Sequence, residues 1–361
     1  MNFKQKYINI IILLNVFAYM LFGCKSYNHL ELKYLDKYEI LPGYNYKSTL
    51  IGGLSGIDFD KKSNQYYLVT DDKSEYNFAR LYKANIVINN KKIDTLIFTD
   101  VIPIFNKDGK YIDFQNSDFE SIRFNPEKKI FVLGDEGGKY NKPSIRIIDC
   151  NGNFIRNLDL DTNYVNQTRS NNSFESISFS DDYKSIFYAT EAPLFNDGEV
   201  SSLNNKGLIR IIESDFENGN IKKETLFWLN KVPYPAAIKP PWKGTGSDNG
   251  LSEILYLNNN QMLILERSGA YQKDGSFNFT CKLFSLTSKE TNSKILRKSK
   301  KDEIFNFSSL PFKSTNIEGM TLGPIIDGDQ SIFFISDNNF KNDASVIYLF
   351  TLNKKKQNDK Q

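Results

Sequence analysis

The chain has 361 residues, with 46 basic and 43 acidic residues spread along it and a formal net charge of +3. Because no basic block stands out, the charge pattern argues against a nucleic-acid partner. The single histidine, His29, precedes the body of the chain, which argues against histidine-dependent triads and zinc sites. Cys150 and Cys281 lie far apart in the sequence and lack the spacing of a zinc or redox motif.

The N-terminus differs from the rest of the chain. Two lysines precede an apolar run that is short for a membrane-spanning helix, which is typical of a secretory signal. The run ends in Leu-Phe-Gly-Cys at 21–24, which resembles the cleavage box of bacterial lipoproteins. We therefore expect a signal peptide over residues 1–24, lipidation of Cys24 and a tether over residues 25–31. An uncleaved N-terminal anchor is the alternative, and either interpretation tethers the chain in a bacterial cell envelope, facing the periplasm or the cell surface.

The body of the chain repeats one pattern five times. Each repeat has an alternating strand, a short polar turn and a second, more apolar strand, and a third strand often follows. The repeats are GLSGIDFD…YYLVTDD (53–72), DFESIRFN…FVLGDEGG (118–138), SFESISFS…FYATEAPL (173–194), GLSEILYL…MLILERSG (250–269) and IEGMTLGP…FFISDNNF (317–340). Aromatic residues make up 14% of the chain and gather with β-branched residues in these runs, which favours an all-β protein.

This repetition predicts a β-propeller of four-stranded antiparallel sheets. The repeats suit a propeller better than a sandwich, because radial repetition buries each sheet against its neighbours and protects the strand edges. We predict five blades and leave a degenerate sixth open, within a single domain over residues 32–353. The segment at 32–40 would return as the outer strand that closes the ring, and residues 354–361 would form a solvated tail.

Acidic residues recur at both ends of the predicted hairpins. Because the start of one antiparallel strand lies beside the end of the next, we expect eight carboxylates to form a ring at one mouth of the central channel. They are Glu120, Glu175 and Glu318 at strand starts, and Asp71, Asp135, Glu191, Glu266 and Asp337 at strand ends. Like charges so close raise one another's pKa unless calcium or arginine compensates them. The alternative is structural, with each acid tying a strand to a loop.

With these five ordered motifs, the span from about Gly52 to Leu349 resembles the phytase-like family, often described as having esterase-like activity of phytase. The resemblance implies an exported β-propeller with calcium-dependent phosphoric ester hydrolase activity. The fourth repeat departs from the family, since it has Gly-Leu-Ser-Glu at 250–253 where the family often has Gly-Leu-Glu-Gly. The shift of one residue turns Glu253 to the opposite face of its strand, so we do not count it among the site acids.

Residues and resemblance together predict a site for a small-molecule phosphoester in a monomeric protein. Calcium would be held by Asp71, Asp135, Glu191, Glu266 and Asp337, and catalysis would use Glu120, Glu175 and Glu318. Arg80, Arg146 and Arg210 would bind the phosphate, with salt bridges to the same acids as the alternative. The alternative function is a non-catalytic propeller that binds a partner or acts as a scaffold in the cell envelope.

Overall fold

The computed structural model describes residues 30–258, 261–289 and 295–354. Residues 32–353 lie within one compact unit. The predicted signal peptide, its lipidated Cys24, most of the tether and nearly all of the tail lie outside the described residues. Within the described residues, no helix has the length and apolar character needed to cross a bilayer.

The regular structure is almost entirely β. The strands are β1 (Leu30–Ile40), β2 (Asn45–Tyr46), β3 (Thr49–Leu50), β4 (Leu54–Asp60), β5 (Gln65–Thr70), β6 (Arg80–Asn89), β7 (Lys92–Pro103), β8 (Phe119–Asn125), β9 (Ile130–Asp135), β10 (Ser144–Asp149), β11 (Phe154–Asn157), β12 (Phe174–Phe179), β13 (Ser185–Thr190), β14 (Leu208–Asp215), β15 (Ile221–Trp228), β16 (Ser247–Asn258), β17 (Gln261–Tyr271), β18 (Phe277–Lys289), β19 (Leu296–Asn306), β20 (Asn316–Ile326), β21 (Asp329–Asp337) and β22 (Ser345–Lys354). One short helix, α1 (Thr162–Gln167), and two 3-10 turns, Phe195–Asp197 and Phe307–Ser309, lie between strands.

The described strands form five four-stranded antiparallel units arranged in a ring. Units 1 to 4 are β4–β7, β8–β11, β12–β15 and β16–β19, and unit 5 is β20–β22 with β1 as its outer strand. A short parallel pairing of β15 with β19 joins units 3 and 4. The first strands, β4, β8, β12, β16 and β20, contact one another in cyclic order, and β20 returns to β4. This topology confirms the predicted β-propeller and the return of the N-terminal segment beside the last strand.

Alternation along each strand supplies both faces of a unit with apolar side chains. Tyr66 and Tyr67 are consecutive in β5, so they point to opposite faces. Tyr66 packs edge-on against Phe333 of unit 5, with ring centroids 5.1 Å apart, and Tyr67 packs against Phe131 of unit 2 at 4.7 Å. The hydrophobic clusters therefore lie between neighbouring units, and each unit buries both faces.

A β-bulge interrupts the first strand of every unit at the same place. The strand pairing skips one residue in each unit, and we call this the bulge position, which is occupied by Ser55, Glu120, Glu175, Ser252 and Glu318. Where it is serine, the hydroxyl bonds the next unit, since Ser55 Oγ donates to Phe119 O at 2.8 Å and Ser252 Oγ to Ile317 O at 3.4 Å. A bulge re-aims the residue it leaves unpaired, so it sets the direction of the three glutamates.

Glu253, one residue beyond the bulge position of unit 4, is buried against Arg123 of unit 2. The guanidinium lies 2.9 Å from the Glu253 carboxylate and also donates to Ile57 O and Ile254 O, each at 3.1 Å. Units 2 and 4 are not neighbours in the ring, so Arg123 reaches across the central channel. Burial raises the pKa of Glu253 to about 8, against the opposing effect of Arg123.

This pKa predicts a pH-dependent contribution to stability. The folded chain holds a proton on Glu253 between its usual value of 4.5 and about 8, whereas the unfolded chain loses it. The free energy of unfolding should therefore fall as the pH rises through this window, by about 1.4 kcal/mol per unit of pKa difference. Glu253→Gln should reduce this fall, which urea denaturation of both chains at pH 5 and pH 8 in EGTA would measure. Parallel losses in the two chains would contradict the raised pKa.

Candidate functional site

An acidic cavity of about 1070 Å³ is lined by residues of all five units. The carboxylates in its wall are Asp71 and Asp72 of the loop after β5, Asp118, Glu120 and Glu136 of unit 2, Glu175 and Glu191 of unit 3, Asp248 of unit 4, and Glu318 and Asp337 of unit 5, with further acids nearer the surface. The cations in the same wall are Lys37, Lys73, Arg267, Lys313 and Lys341. Acids therefore outnumber cations in the wall of this cavity.

Strand register explains which acids reach this cavity. The residue before each bulge pairs with Thr70, Asp135, Thr190, Glu266 and Ser336 of the second strands. The next residue along the chain, which we call the strand-end position, is Asp71, Glu136, Glu191, Arg267 or Asp337. All five of these residues line the cavity. Because successive side chains alternate, a residue one place earlier points away from it.

Six of the eight acids predicted from sequence meet in the cavity, and two do not. Those that meet are Asp71, Glu120, Glu175, Glu191, Glu318 and Asp337. Asp135 is buried one place before the strand-end position, where its Oδ1 accepts the amides of Asp118 and Gly137, both at 2.9 Å. Glu266, also one place early, forms an ion pair with Lys301 and lines a separate cavity of about 300 Å³. The residues that take their places in the acidic cavity are Glu136 and Arg267.

None of the three arginines predicted to bind phosphate lines the acidic cavity. Arg80 forms an ion pair with Asp72 at 2.6 Å. Arg146 lies 3.9 Å from Asp135, one of the eight acids predicted to form the ring. Among the described residues, the other two arginines form ion pairs with acids outside that set. Arg210 is held by two acids of its own region, Asp197 at 2.5 Å and Glu224 at 2.7 Å.

Arg267 is the arginine that does line the cavity. Its Nη2 lies 2.6 Å from Glu191 Oε1, its Nη1 lies 3.5 Å from Glu318 Oε1, and Nη1 also donates to Asn316 Oδ1 at 3.1 Å. Burial lowers the pKa of Arg267, but Glu191 and Glu318 more than offset this, so its pKa lies well above the usual value. Its Nε has no hydrogen-bond partner among the described residues. The guanidinium is thus a fixed positive charge inside the acidic ring.

Burial and mutual repulsion raise the pKa values of the acids around it. Burial, followed by the charges of Glu191 and Asp118, raises the pKa of Glu136 to about 8. Burial and neighbouring carboxylates also place the pKa values of Glu120 and Glu175 well above the usual range. Among the described residues, no lysine or arginine forms an ion pair with these last two. Without a cation, Glu136 therefore holds a proton near neutral pH, and burial disfavours the charged forms of Glu120 and Glu175.

Two groups of three carboxylates are spaced to hold a metal ion. One oxygen each of Asp118, Glu120 and Glu136 lie within 4.8 Å of one another, and so do oxygens of Glu136, Glu175 and Glu191. The donors are all oxygens, which suits calcium or magnesium better than zinc. Asp118 Oδ1 is buried and has no hydrogen-bond partner in the described part of the chain. This is expected of an oxygen that serves as a metal ligand.

Three cavity residues, Asp118, Glu136 and Arg267, are not among the predicted site residues, and the sequence gives a partial indication of the first two. Asp118 and Glu136 stand beside predicted acids, in Asp-Phe-Glu at 118–120 and Asp-Glu-Gly-Gly at 135–138. Choosing between adjacent acids requires the strand register, which the sequence leaves ambiguous by one residue. Arg267 occupies the strand-end position of unit 4, where the other four units have an acid, so the repeat pattern does not predict an arginine there.

Fold and site together define a β-propeller with an acidic cavity at its centre. A family model for phytase-like proteins, described as esterase-like activity of phytase, matches residues 49–340. The chain belongs to this family. No curated protein sequence matches it.

The solved structures that match this chain are distant from it in sequence. The soluble aldose sugar dehydrogenase of Escherichia coli is 10% identical with a TM-score of 0.40, over 90% of this chain and 100% of that one. The periplasmic gluconolactonase of Pseudomonas aeruginosa is 10% identical with a TM-score of 0.34, over 83% of this chain and 92% of that one. At these values the likeness carries no inference about activity.

Proposed function

We propose that the protein is a calcium-dependent phosphoric ester hydrolase. The observation that carries the proposal is the acidic cavity, in which two groups of carboxylates with oxygens within 4.8 Å of one another share Glu136. Membership of the phytase-like family supports ester hydrolysis as the reaction class. The donors are all oxygens, and three carboxylates in each group suit calcium better than magnesium, which usually keeps several water ligands and binds one or two carboxylates.

The residues that would hold the calcium are Asp118, Glu120, Glu136, Glu175 and Glu191. When bound, calcium would neutralise the phosphate ester and lower the pKa of a water molecule near it. The protein's own task is to orient the ester and exclude competing solvent. Arg267 suits the first part of this task, because its Nε is free of partners among the described residues and a guanidinium binds phosphate oxygens well. It takes the role that the sequence assigned to Arg80, Arg146 and Arg210.

Glu318 and Asp337 are suited to move a proton. Asn316 Nδ2 donates to both, to Glu318 Oε1 at 2.8 Å and to Asp337 Oδ2 at 3.4 Å, so the two carboxyls are held together. Burial, and then Asp337, raise the pKa of Glu318 to about 8, and burial raises that of Asp337 to about 6. At neutral pH one therefore carries a proton that it can give to the leaving group, while the other is free to accept one.

The proposal extends to where the protein works. The Leu-Phe-Gly-Cys sequence at 21–24 supports export and lipidation at Cys24, and hence attachment to a membrane of the bacterial cell envelope. The domain over residues 32–353 would face the periplasm or the cell surface as a monomer. Its partner would be a small-molecule phosphoester.

Phosphate release by the purified full chain tests the function. After removal of metal with EGTA, the chain should release little phosphate from a panel of monoesters, diesters and inositol phosphates, and added calcium should restore release. Restoration by calcium with at least one ester supports the proposal. No release from any ester at any calcium concentration would overturn it in favour of a binding or scaffold propeller, and cleavage of carboxylic esters alone would overturn the phosphoester class.

A further inference from the structure

We propose that the acidic cavity is a two-cation centre in which Glu136 is the ligand common to both cations. The inference rests on the proposed function for the identity of the cation, and it adds the number of ions and the residues that divide them. One cation would lie among Asp118, Glu120 and Glu136, and the other among Glu136, Glu175 and Glu191.

The fold places Glu136 between the two groups. It occupies the strand-end position of unit 2, and its backbone amide donates to Asp118 O at 2.8 Å, which holds it beside the first group. Its carboxylate also accepts the backbone amide of Ser173, which precedes β12 in unit 3. The side chain is therefore fixed across the boundary between units 2 and 3, where the two groups meet.

A separate observation points to a ligand in the first group. Asp118 is only 3% exposed, and its Oδ1 has no hydrogen-bond partner among the described residues. Its other oxygen forms an ion pair with Lys73. Leaving a buried carboxylate oxygen without a partner is costly, and a cation bound at Oδ1 would remove this cost.

Arg267 explains why the cations should lie on one side of the ring. It occupies the strand-end position of unit 4, where the other four units have an acid, and it contacts both Glu191 and Glu318. The part of the ring near unit 5 thus has a cation supplied by the chain itself. Among the described residues, Glu120, Glu136 and Glu175 form no ion pair with a lysine or an arginine, and Lys73 is paired with Asp118.

The two cation positions should differ in affinity. Both oxygens of Glu191 already accept hydrogen bonds, Oε1 from Arg267 and Oε2 from Asn172. Asp118 Oδ1 accepts no hydrogen bond from any described residue. We therefore expect the position that includes Asp118 to bind its cation more tightly than the position that includes Glu191. A carboxylate oxygen without a hydrogen bond loses none when it binds a cation.

Calcium titration by calorimetry tests the inference without measuring hydrolysis. The full chain, freed of metal with EGTA, should bind two calcium ions. Asp118→Asn should bind one, and Glu136→Gln should lose affinity at both positions by at least about tenfold. Glutamine keeps an oxygen that can accept the Ser173 amide, which favours a folded Glu136→Gln chain. Glu253→Gln, a buried acid outside the cavity, is the matched control and should still bind two.

The outcomes separate this inference from the proposed function. One calcium per wild-type chain, or a Glu136→Gln chain that keeps one position at full affinity, would overturn the two-cation centre while leaving calcium-dependent hydrolysis intact. No calcium binding at all would overturn both. Circular dichroism of each variant in EGTA shows whether it is folded, and the wild-type stoichiometry decides the number of ions even if a variant fails to fold.

Discussion

Arg80→Met is expected to lower the free energy of unfolding by about 3–5 kcal/mol. Arg80 is completely buried, and it donates to Asp72 Oδ2, to Leu50 O and to the hydroxyl of Tyr82, each at 2.6 Å. Methionine fills much of the space but leaves the buried Asp72 without its cation. Urea denaturation followed by circular dichroism would measure the loss.

Lys47→Met is the matched control. Lys47 also forms an ion pair, with Asp100 at 2.8 Å, but its side chain is 53% exposed and the pair is screened by solvent, so its loss should lower the free energy of unfolding far less than the loss of Arg80. A loss of stability in Arg80→Met no larger than in this control would contradict the structural role. Loss of hydrolysis in a fully stable Arg80→Met chain would instead support the substrate-binding role that the sequence suggested.

The largest effect on activity is expected for Glu175→Gln, which should reduce kcat/KM for phosphoester hydrolysis by about 10²- to 10³-fold. Glu175 holds the bulge position of unit 3, and no lysine or arginine among the described residues forms an ion pair with it. Its carboxylate would be a negatively charged ligand of the second cation, together with those of Glu136 and Glu191. Phosphate release at saturating calcium would measure the effect.

Stability distinguishes this functional role from a structural one. Burial disfavours the Glu175 carboxylate, so the neutral glutamine should leave the free energy of unfolding in EGTA unchanged or increase it. Glu253→Gln should keep the wild-type kcat/KM. If Glu175→Gln keeps its activity, Glu175 is not part of the site; if it unfolds in EGTA, the carboxylate is structural.

The repeats carry enough information to predict the propeller, because each repeat combines alternating apolar residues with turn residues at a regular spacing. They also identify the hairpin ends at which the acids gather. They cannot fix the strand register to one residue, and the side chains of adjacent residues point in opposite directions. This is why the sequence pattern predicts Asp135 and Glu266 at positions where Glu136 and Arg267 line the acidic cavity.

The bulge is the second feature that the sequence does not reveal. Regular alternation would turn Glu120, Glu175 and Glu318 to the same face as the apolar residues two places further along. The bulge breaks this alternation in every unit and turns the glutamates towards the channel. The arginine partners were equally hidden, since Arg210 meets Asp197 and Glu224 only after three separate segments fold together.

The contacts of Arg123 across the channel bear on how the molecule unfolds. In a linear repeat protein each repeat contacts only its neighbours, and the array can lose structure from one end. Here β1 pairs with β22, and Arg123 ties unit 2 to unit 4 through Glu253 and Ile254 O. Opening unit 4 would leave the buried guanidinium of Arg123 without its partners, and opening unit 2 would leave the buried carboxyl of Glu253 without its own. These contacts couple the loss of one unit to the loss of the rest, so the ring should unfold cooperatively as a single body.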